Sequence, residues 1–96
     1  MTAREKKAFL IELQGWVTGV NMRRFVSHLA SRYNLTGKVR NESSELVSVF
    51  VEGDEKDLLG FLQELSESPE RPGRVDNLVC KPAQPVQGSD RFVIEP

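Results

Sequence analysis

The sequence contains a single cysteine, Cys80, and a single histidine, His28, among its 96 residues. One cysteine cannot form an internal disulfide, and there is no Cys/His cluster with the spacing of a zinc site. No apolar run reaches the roughly 18 residues that a membrane span needs. The apolar stretch 8–16 is interrupted by Glu12 and Gln14, which excludes a signal-peptide core. We therefore expect no metal, no cofactor and no membrane segment, with cytoplasmic residence as the default.

The chain also lacks a charge excess, since 13 basic and 14 acidic residues give a net charge of −1. This balance provides no long-range attraction for nucleic acid or anionic lipid, so any anion site must be local. A composition of 39% hydrophobic and 28% charged residues is typical of a globular protein. The length suits one domain over residues 1–96, with 1–6 flexible. We expect it to be free-standing and monomeric.

Hydrophobic periodicity predicts the first strand, loop and helix. Phe9, Ile11 and Leu13 alternate with polar residues, which indicates a half-buried strand over 7–16. From Met22 the apolar spacing becomes helical and predicts an amphipathic helix over 22–33, with Asn34 as its terminator.

The remaining pattern predicts strands over 36–41 and 46–51, a helix over 55–66 capped by Asp54, and strands over 75–81 and 91–95. The element order is β-α-β-β-α-β with one short extra strand. This order predicts an α+β ferredoxin-like sandwich, in which an antiparallel sheet carries both helices on one face.

The fold alone does not indicate a function, but the segment from Gly15 to Arg24 indicates a candidate anion-binding site. Two glycines permit tight backbone turns, and a helix begins at once with unpaired N–H groups. Arg23 and Arg24 lie in the first helical turn, where cations are unfavourable unless an anion is bound. The residues alone leave two interpretations open: an anion site, or a surface loop with solvated arginines and Asn21 as an ordinary cap.

Two motifs in this order resemble those of the acylphosphatase family. The stretch from Gly15 to Arg23 is similar to the signature G-x-V-Q-G-V-x-F-R, and the stretch from Gly37 to Val47 is similar to G-x-V-x-N-x-x-x-G-x-V. The resemblance covers roughly residues 8–95. It implies hydrolysis of small-molecule acyl phosphates without a metal, with inorganic phosphate as product and inhibitor.

The resemblance also implies roles for individual residues. Arg23 and Asn41 are the implied catalytic residues: the arginine binds the phosphate, and the asparagine orients the attacking water. The implied phosphate-binding loop consists of Val17, Thr18, Gly19, Val20, Asn21 and Met22. Ser44-Glu45 replaces the Asp-Gly of the family's hairpin, and we expect a reshaped turn there.

Two other functions remain open at this point. One is an acylphosphatase-like module that binds anions or protein partners with weakened catalysis; related domains also occur inside larger carbamoyl-transfer maturation proteins. The other is an RNA-recognition module, which shares the element order but requires exposed aromatic residues on the central strands, where only Phe50 is present. We expect His28 to be a surface residue rather than a catalytic one, and Trp16 to pack rather than stack on a ligand.

Overall fold

A computed structural model describes residues 6–86 and 90–96. The expectation of a flexible segment at 1–6 concerns mainly residues 1–5, which lie outside the described residues. The elements are β1 (Lys7–Trp16), α1 (Met22–Arg32), β2 (Thr36–Ser43), β3 (Leu46–Gly53), α2 (Glu55–Glu67), β4 (Arg74–Ala83) and β5 (Phe92–Ile94). Each predicted element is present. The ferredoxin-like prediction is therefore confirmed.

The strands form one sheet in the order β4-β1-β3-β2-β5. All neighbours are antiparallel except β2 and β5, which pair in parallel from Gly37 with Phe92 to Val39 with Ile94. The last strand therefore makes the sheet mixed and lies beside β2 rather than beside β4. This placement brings the C-terminal residues next to the strand that carries Asn41.

The core lies between one face of the sheet and the two helices. Alternate residues of β1, β2 and β3 contribute the sheet side, and apolar positions of both helices contribute the other. The fully buried core side chains include Ile11, Leu13, Val39, Val47, Val49, Val26, Leu58, Phe61 and Leu65. This packing fixes the end of the sheet at which β1 and β2 both terminate.

Helix α1 ends where the sequence predicts. Asn34 adopts a left-handed conformation with φ 57°, and the N–H of Leu35 donates to the carbonyl of Ala30 at 3.0 Å. The N–H of Asn34 donates to the carbonyl of Ser31 at 3.2 Å. These two bonds form a Schellman C-cap with Asn34 in the position that glycine usually occupies.

The β2–β3 hairpin contains a β-bulge just before Ser44-Glu45. Asn41 pairs with Val47 and Ser43 pairs with Leu46, so Glu42 is an extra residue in a β-bulge. Glu45 does not adopt positive φ, since the positive-φ non-glycine residues of the described chain are Asn21 and Asn34. The turn therefore avoids the strain that a positive φ would impose on glutamate.

Two smaller expectations concern Cys80 and membrane-spanning segments. Cys80 is half-buried, as expected, and burial raises the pKa of its thiol above the ordinary value, which keeps it protonated. Within residues 6–86 and 90–96, neither helix has the length and apolar character needed to cross a bilayer.

Candidate active site

The loop between β1 and α1 is shaped by two left-handed residues. Gly19 has φ +70° and Asn21 has φ 66°, whereas Val20 between them does not have positive φ. Alternation of this kind turns successive N–H groups toward one side of the backbone and creates a concavity that suits an anion. Gly19 has open space around it, because a Cβ placed there would meet no atom within 4 Å.

The N–H groups of this loop have no protein acceptors. In the described part of the chain, no backbone N–H from Thr18 to Arg24 donates a hydrogen bond to another protein group. The first helical bond is made by the N–H of Phe25, which donates to the carbonyl of Asn21 at 3.0 Å. The Asn21 side chain makes no cap hydrogen bond, so the interpretation of Asn21 as an ordinary side-chain cap is wrong.

A pocket of about 260 Å³ opens at this loop, and we call it the phosphate-end pocket. It is lined by Val17, Gly19, Asn21, Met22, Arg23, Arg24, Asn41 and Ile94. The fold therefore brings the loop and Arg23, which follow β1, beside Asn41 on β2. The side chains of Thr18 and Val20, although predicted with the loop, do not line this pocket.

Arg23 is held in place by Glu95, the residue that follows the last strand. It is half-buried, and its Nη1 donates a hydrogen bond to the backbone carbonyl of Glu95 at 2.5 Å. The N–H of Glu95 in turn donates to the carbonyl of Val39 at 2.8 Å, which fixes this segment against β2. Sequence reasoning missed this anchor and the contribution of Ile94 to the pocket, because no local pattern reveals which strand the C-terminal residues join.

Asn41 is flanked by a charged network on the opposite face of β2. The Nε and Nη2 of Arg40 donate to Oε1 of Glu42 at 3.0 and 2.9 Å, and the Ser48 hydroxyl donates to Oε2 of Glu42 at 3.0 Å. Hydrogen bonds from Arg40 and then from Ser48 lower the pKa of Glu42 below its usual value. Residues two apart in a strand lie on the same face, so Arg40 and Glu42 pair across Asn41 and hold the backbone on both sides of it.

The loop is also fastened to the β2–β3 hairpin. The Thr18 hydroxyl donates to the carbonyl of Ser44 at 2.6 Å, and the N–H of Gly15 donates to the carbonyl of Glu45 at 3.0 Å. The loop, through Thr18, and the end of β1, through Gly15, are thus both bonded directly to the turn that follows the strand carrying Asn41. Thr18 acts here through its side chain, outside the pocket.

The structure agrees with the expectation for His28 and disagrees with the expectation for Trp16. His28 is exposed on α1, as expected. The expectation that Trp16 packs is wrong, because its side chain is 62% exposed. It lines a second depression of about 780 Å³ between the end of β1, the hairpin turn and Arg74, which we call the Trp16 cavity.

Comparison with known proteins identifies the family of this chain. The acylphosphatase family profile matches residues 9–94. This chain belongs to the acylphosphatase family. It is 34% identical over 86 residues to the acylphosphatase of Clostridium acetobutylicum, with 90% of this chain and 93% of the relative covered. The family and the fold support hydrolysis of acyl phosphates as the general activity.

Solved structures show the same fold. The crystal structure of acylphosphatase from Bacillus subtilis superposes with a TM-score of 0.82 at 28% identity, covering 94% of this chain and 99% of that one. Full-length HypF in its phosphate- and nucleotide-bound form gives a TM-score of 0.88 at 35% identity and covers 99% of this chain. This chain spans 12% of that HypF protein.

Proposed function

We propose that this protein hydrolyses the carboxyl–phosphate bond of acyl phosphates to a carboxylate and inorganic phosphate. In this proposal, the backbone N–H groups of loop 17–22 and the guanidinium of Arg23 bind the phosphate, and Asn41 orients the attacking water. The observation that supports it best is the pocket in which the unpaired loop, Arg23 and Asn41 meet.

The chemistry requires little more than positioning and positive charge. Water attacks phosphorus in line with the leaving carboxylate, the bond from phosphorus to the acyl oxygen breaks, and that oxygen keeps the electron pair. One proton of the water passes to a non-bridging oxygen of the phosphate, so the products are a carboxylate and dihydrogen phosphate. Negative charge on the equatorial oxygens is stabilised by preorganised N–H donors and by Arg23. A carboxylate is a good leaving group, so the reaction requires no strong general base and no metal.

The anchoring of Arg23 suits this role. A guanidinium has five N–H donors, and one donor on Nη1 is used by the Glu95 carbonyl. The others remain for the phosphate, and the anchor lowers the entropy lost when the substrate binds. Bound phosphate would also remove the unfavourable placement of a cation at the start of α1.

Asn41 has a distinct role in this scheme. Its side-chain oxygen accepts a hydrogen bond from the water and holds it in line with phosphorus, which is a positioning effect. The carboxamide does not titrate, so it acts without taking the proton. We propose further that the protein acts in the cytoplasm as a single-domain monomer, with inorganic phosphate as a competitive inhibitor and without nucleic acid.

The proposal is tested by hydrolysis of benzoyl phosphate, followed by the loss of its ultraviolet absorbance, with inorganic phosphate as competitor. We expect metal-independent turnover that persists in a chelator and that phosphate inhibits competitively. Folded protein that hydrolyses benzoyl phosphate no faster than buffer would contradict the enzymatic proposal.

A second candidate is an acylphosphatase-like anion-binding or protein-interaction module with weakened catalysis. The likeness to HypF favours it, because a carbamoyltransferase HypF from Synechocystis is 33% identical over 90 residues and this chain covers 12% of it. Phosphate binding measured by calorimetry without turnover of benzoyl phosphate would support this alternative.

A further inference from the structure

A groove along helix α1 shares lining residues with the phosphate-end pocket, and we call it the α1 groove. It has a volume of about 380 Å³. Arg24, His28 and Arg32 line it at intervals of four residues, so they form one basic stripe on a single helix face. Such a stripe beside a phosphate site is a candidate for binding a second anionic group.

The α1 groove and the pocket share part of their lining. Asn21 and Arg24 line both depressions, whereas Asn41 lines only the pocket. In-line displacement places the leaving carboxylate on the side of phosphorus opposite the water. If Asn41 holds the water, the acyl group leaves on the side away from Asn41. Of the α1 groove and the Trp16 cavity, only the α1 groove shares lining residues with the pocket, and Asn41 does not line it.

The three basic side chains of the groove differ in whether they already have a partner within the protein. Arg24 and His28 are exposed and make no hydrogen bond or ion pair with any residue that the structure describes. Arg32, at the far end, is already paired with Glu64 at 2.9 Å. The end nearest the pocket therefore has a guanidinium and an imidazole available to a ligand.

The remaining residues that line the groove affect which ligands it can bind. The half-buried Phe25 supplies apolar surface between the basic residues, since Leu29 is only 2% exposed, and Pro72 also lines the groove. Glu70 adds one carboxylate to the lining, and it shares with Arg32 a further depression that neither Arg24 nor His28 lines. The opposing negative charge is therefore associated with the Arg32 end of the groove, and Arg24 and His28 supply the positive charge at the other end.

We propose that the α1 groove binds the acyl part of the substrate, and that Arg24 and His28 select acyl phosphates that carry a second anionic group. The inference rests on the proposed function, because it takes the phosphate to occupy the adjoining pocket. Four helical residues rise about 6 Å, so the two side chains suit an anion one small acyl group away from the phosphate. Arg24 supplies charge, and His28 supplies at least one N–H donor even when neutral.

The test compares two matched substrates, benzoyl phosphate and 4-carboxybenzoyl phosphate. We expect the wild-type protein to have the higher kcat/KM for the carboxylated substrate. In Arg24→Gln and in His28→Ala, the ratio of the two kcat/KM values should fall about fivefold, the scale of one charged hydrogen bond partly exposed to water. The fall should appear mainly in KM.

Arg74→Gln is the matched control, because Arg74 is an exposed arginine beside the Trp16 cavity, paired with Asp76 at 2.8 Å. It should leave the ratio unchanged. An unchanged ratio in both groove variants would overturn the proposal. A fall in Arg74→Gln in place of the groove variants would also overturn it, and would direct the acyl group to the Trp16 cavity.

A binding measurement separates this inference from the proposed function. Calorimetry compares phenylphosphonate with 4-phosphonobenzoate, which carries the added carboxylate, and requires no turnover. Tighter binding of the carboxylated ligand, lost in His28→Ala, supports the groove even in a protein without activity. Benzoyl phosphate turnover together with equal binding of the two phosphonates would support the enzyme and contradict the groove.

Discussion

Gly19 and Gly37 lie at opposite ends of the molecule, and both adopt positive φ, +70° and +139°. A Cβ at Gly37 would overlap the backbone carbonyl of Phe50, whereas a Cβ at Gly19 would meet nothing within 4 Å. Gly37 is therefore required by close strand packing, and Gly19 by the backbone shape of an open loop. A glycine with positive φ therefore permits close strand packing at one end and shapes a candidate ligand site at the other.

The two ends also differ in the environment of the polar groups that lack a hydrogen-bond partner. At the pocket end, the loop N–H groups have no acceptor among the described residues, and a pocket opens beside them. At the opposite end, Glu52 is only 1% exposed. It lies opposite Thr36, and within residues 6–86 and 90–96 the buried Thr36 hydroxyl and both Glu52 oxygens lack a hydrogen-bond partner. Unpaired polar groups thus suit ligand binding at one end and lower stability at the other.

The largest expected effect tests the comparison of the glycines. Gly37→Ala should lower the free energy of unfolding by at least about 3 kcal/mol, because backbone strain and overlap with a strand carbonyl add. Gly19→Ala should cost only about 1–2 kcal/mol, the cost of a left-handed residue with a Cβ. Urea denaturation measures both values.

Gly19→Ala should in addition weaken phosphate binding, because its methyl group occupies the pocket. Equal losses of stability in the two variants, with phosphate affinity unaffected in Gly19→Ala, would remove the distinction between them.

A smaller effect is expected at Glu52. Glu52→Gln should raise the free energy of unfolding by about 1–2 kcal/mol, because a neutral amide costs less to bury than an unpaired carboxylate. Glu67→Gln, an exposed change on α2, is the control and should stay within about 0.5 kcal/mol of wild type. A Glu52→Gln variant less stable than wild type would show that the carboxylate is stabilising.

The smallest effect concerns the network beside Asn41. Glu42→Gln should lower kcat about threefold, because Asn41 is held less firmly, and should leave phosphate affinity unchanged. The pKa of Glu42 is lowered, so the network is intact at neutral pH and is lost as the pH falls through that lowered pKa. Glu45→Gln, outside this network, should have no effect on kcat. Equal effects of the two changes would exclude the network from positioning Asn41.

The secondary structure and most residues of the candidate site are predictable from the sequence. The features that are not predictable depend on contacts between distant parts of the chain. Local periodicity predicts every strand and helix to within about two residues, and both motifs of the resemblance fall on residues that line one pocket. The anchor from Glu95 to Arg23 depends on the parallel pairing of β5 with β2, which is non-local. The exposure of Trp16 and the burial of Glu52 depend on the surrounding structure, which the alternation of a strand does not specify.

The division of roles between Arg23 and Asn41 is the central claim, and phosphate calorimetry combined with benzoyl phosphate turnover tests it most directly. Both Arg23→Ala and Asn41→Ala should lower turnover by about 10² or more, the scale for loss of one preorganised donor or positioning group. Arg23→Ala should also abolish phosphate binding, whereas Asn41→Ala should retain nearly the wild-type affinity. Loss of phosphate binding to the same extent in both folded variants would contradict the account.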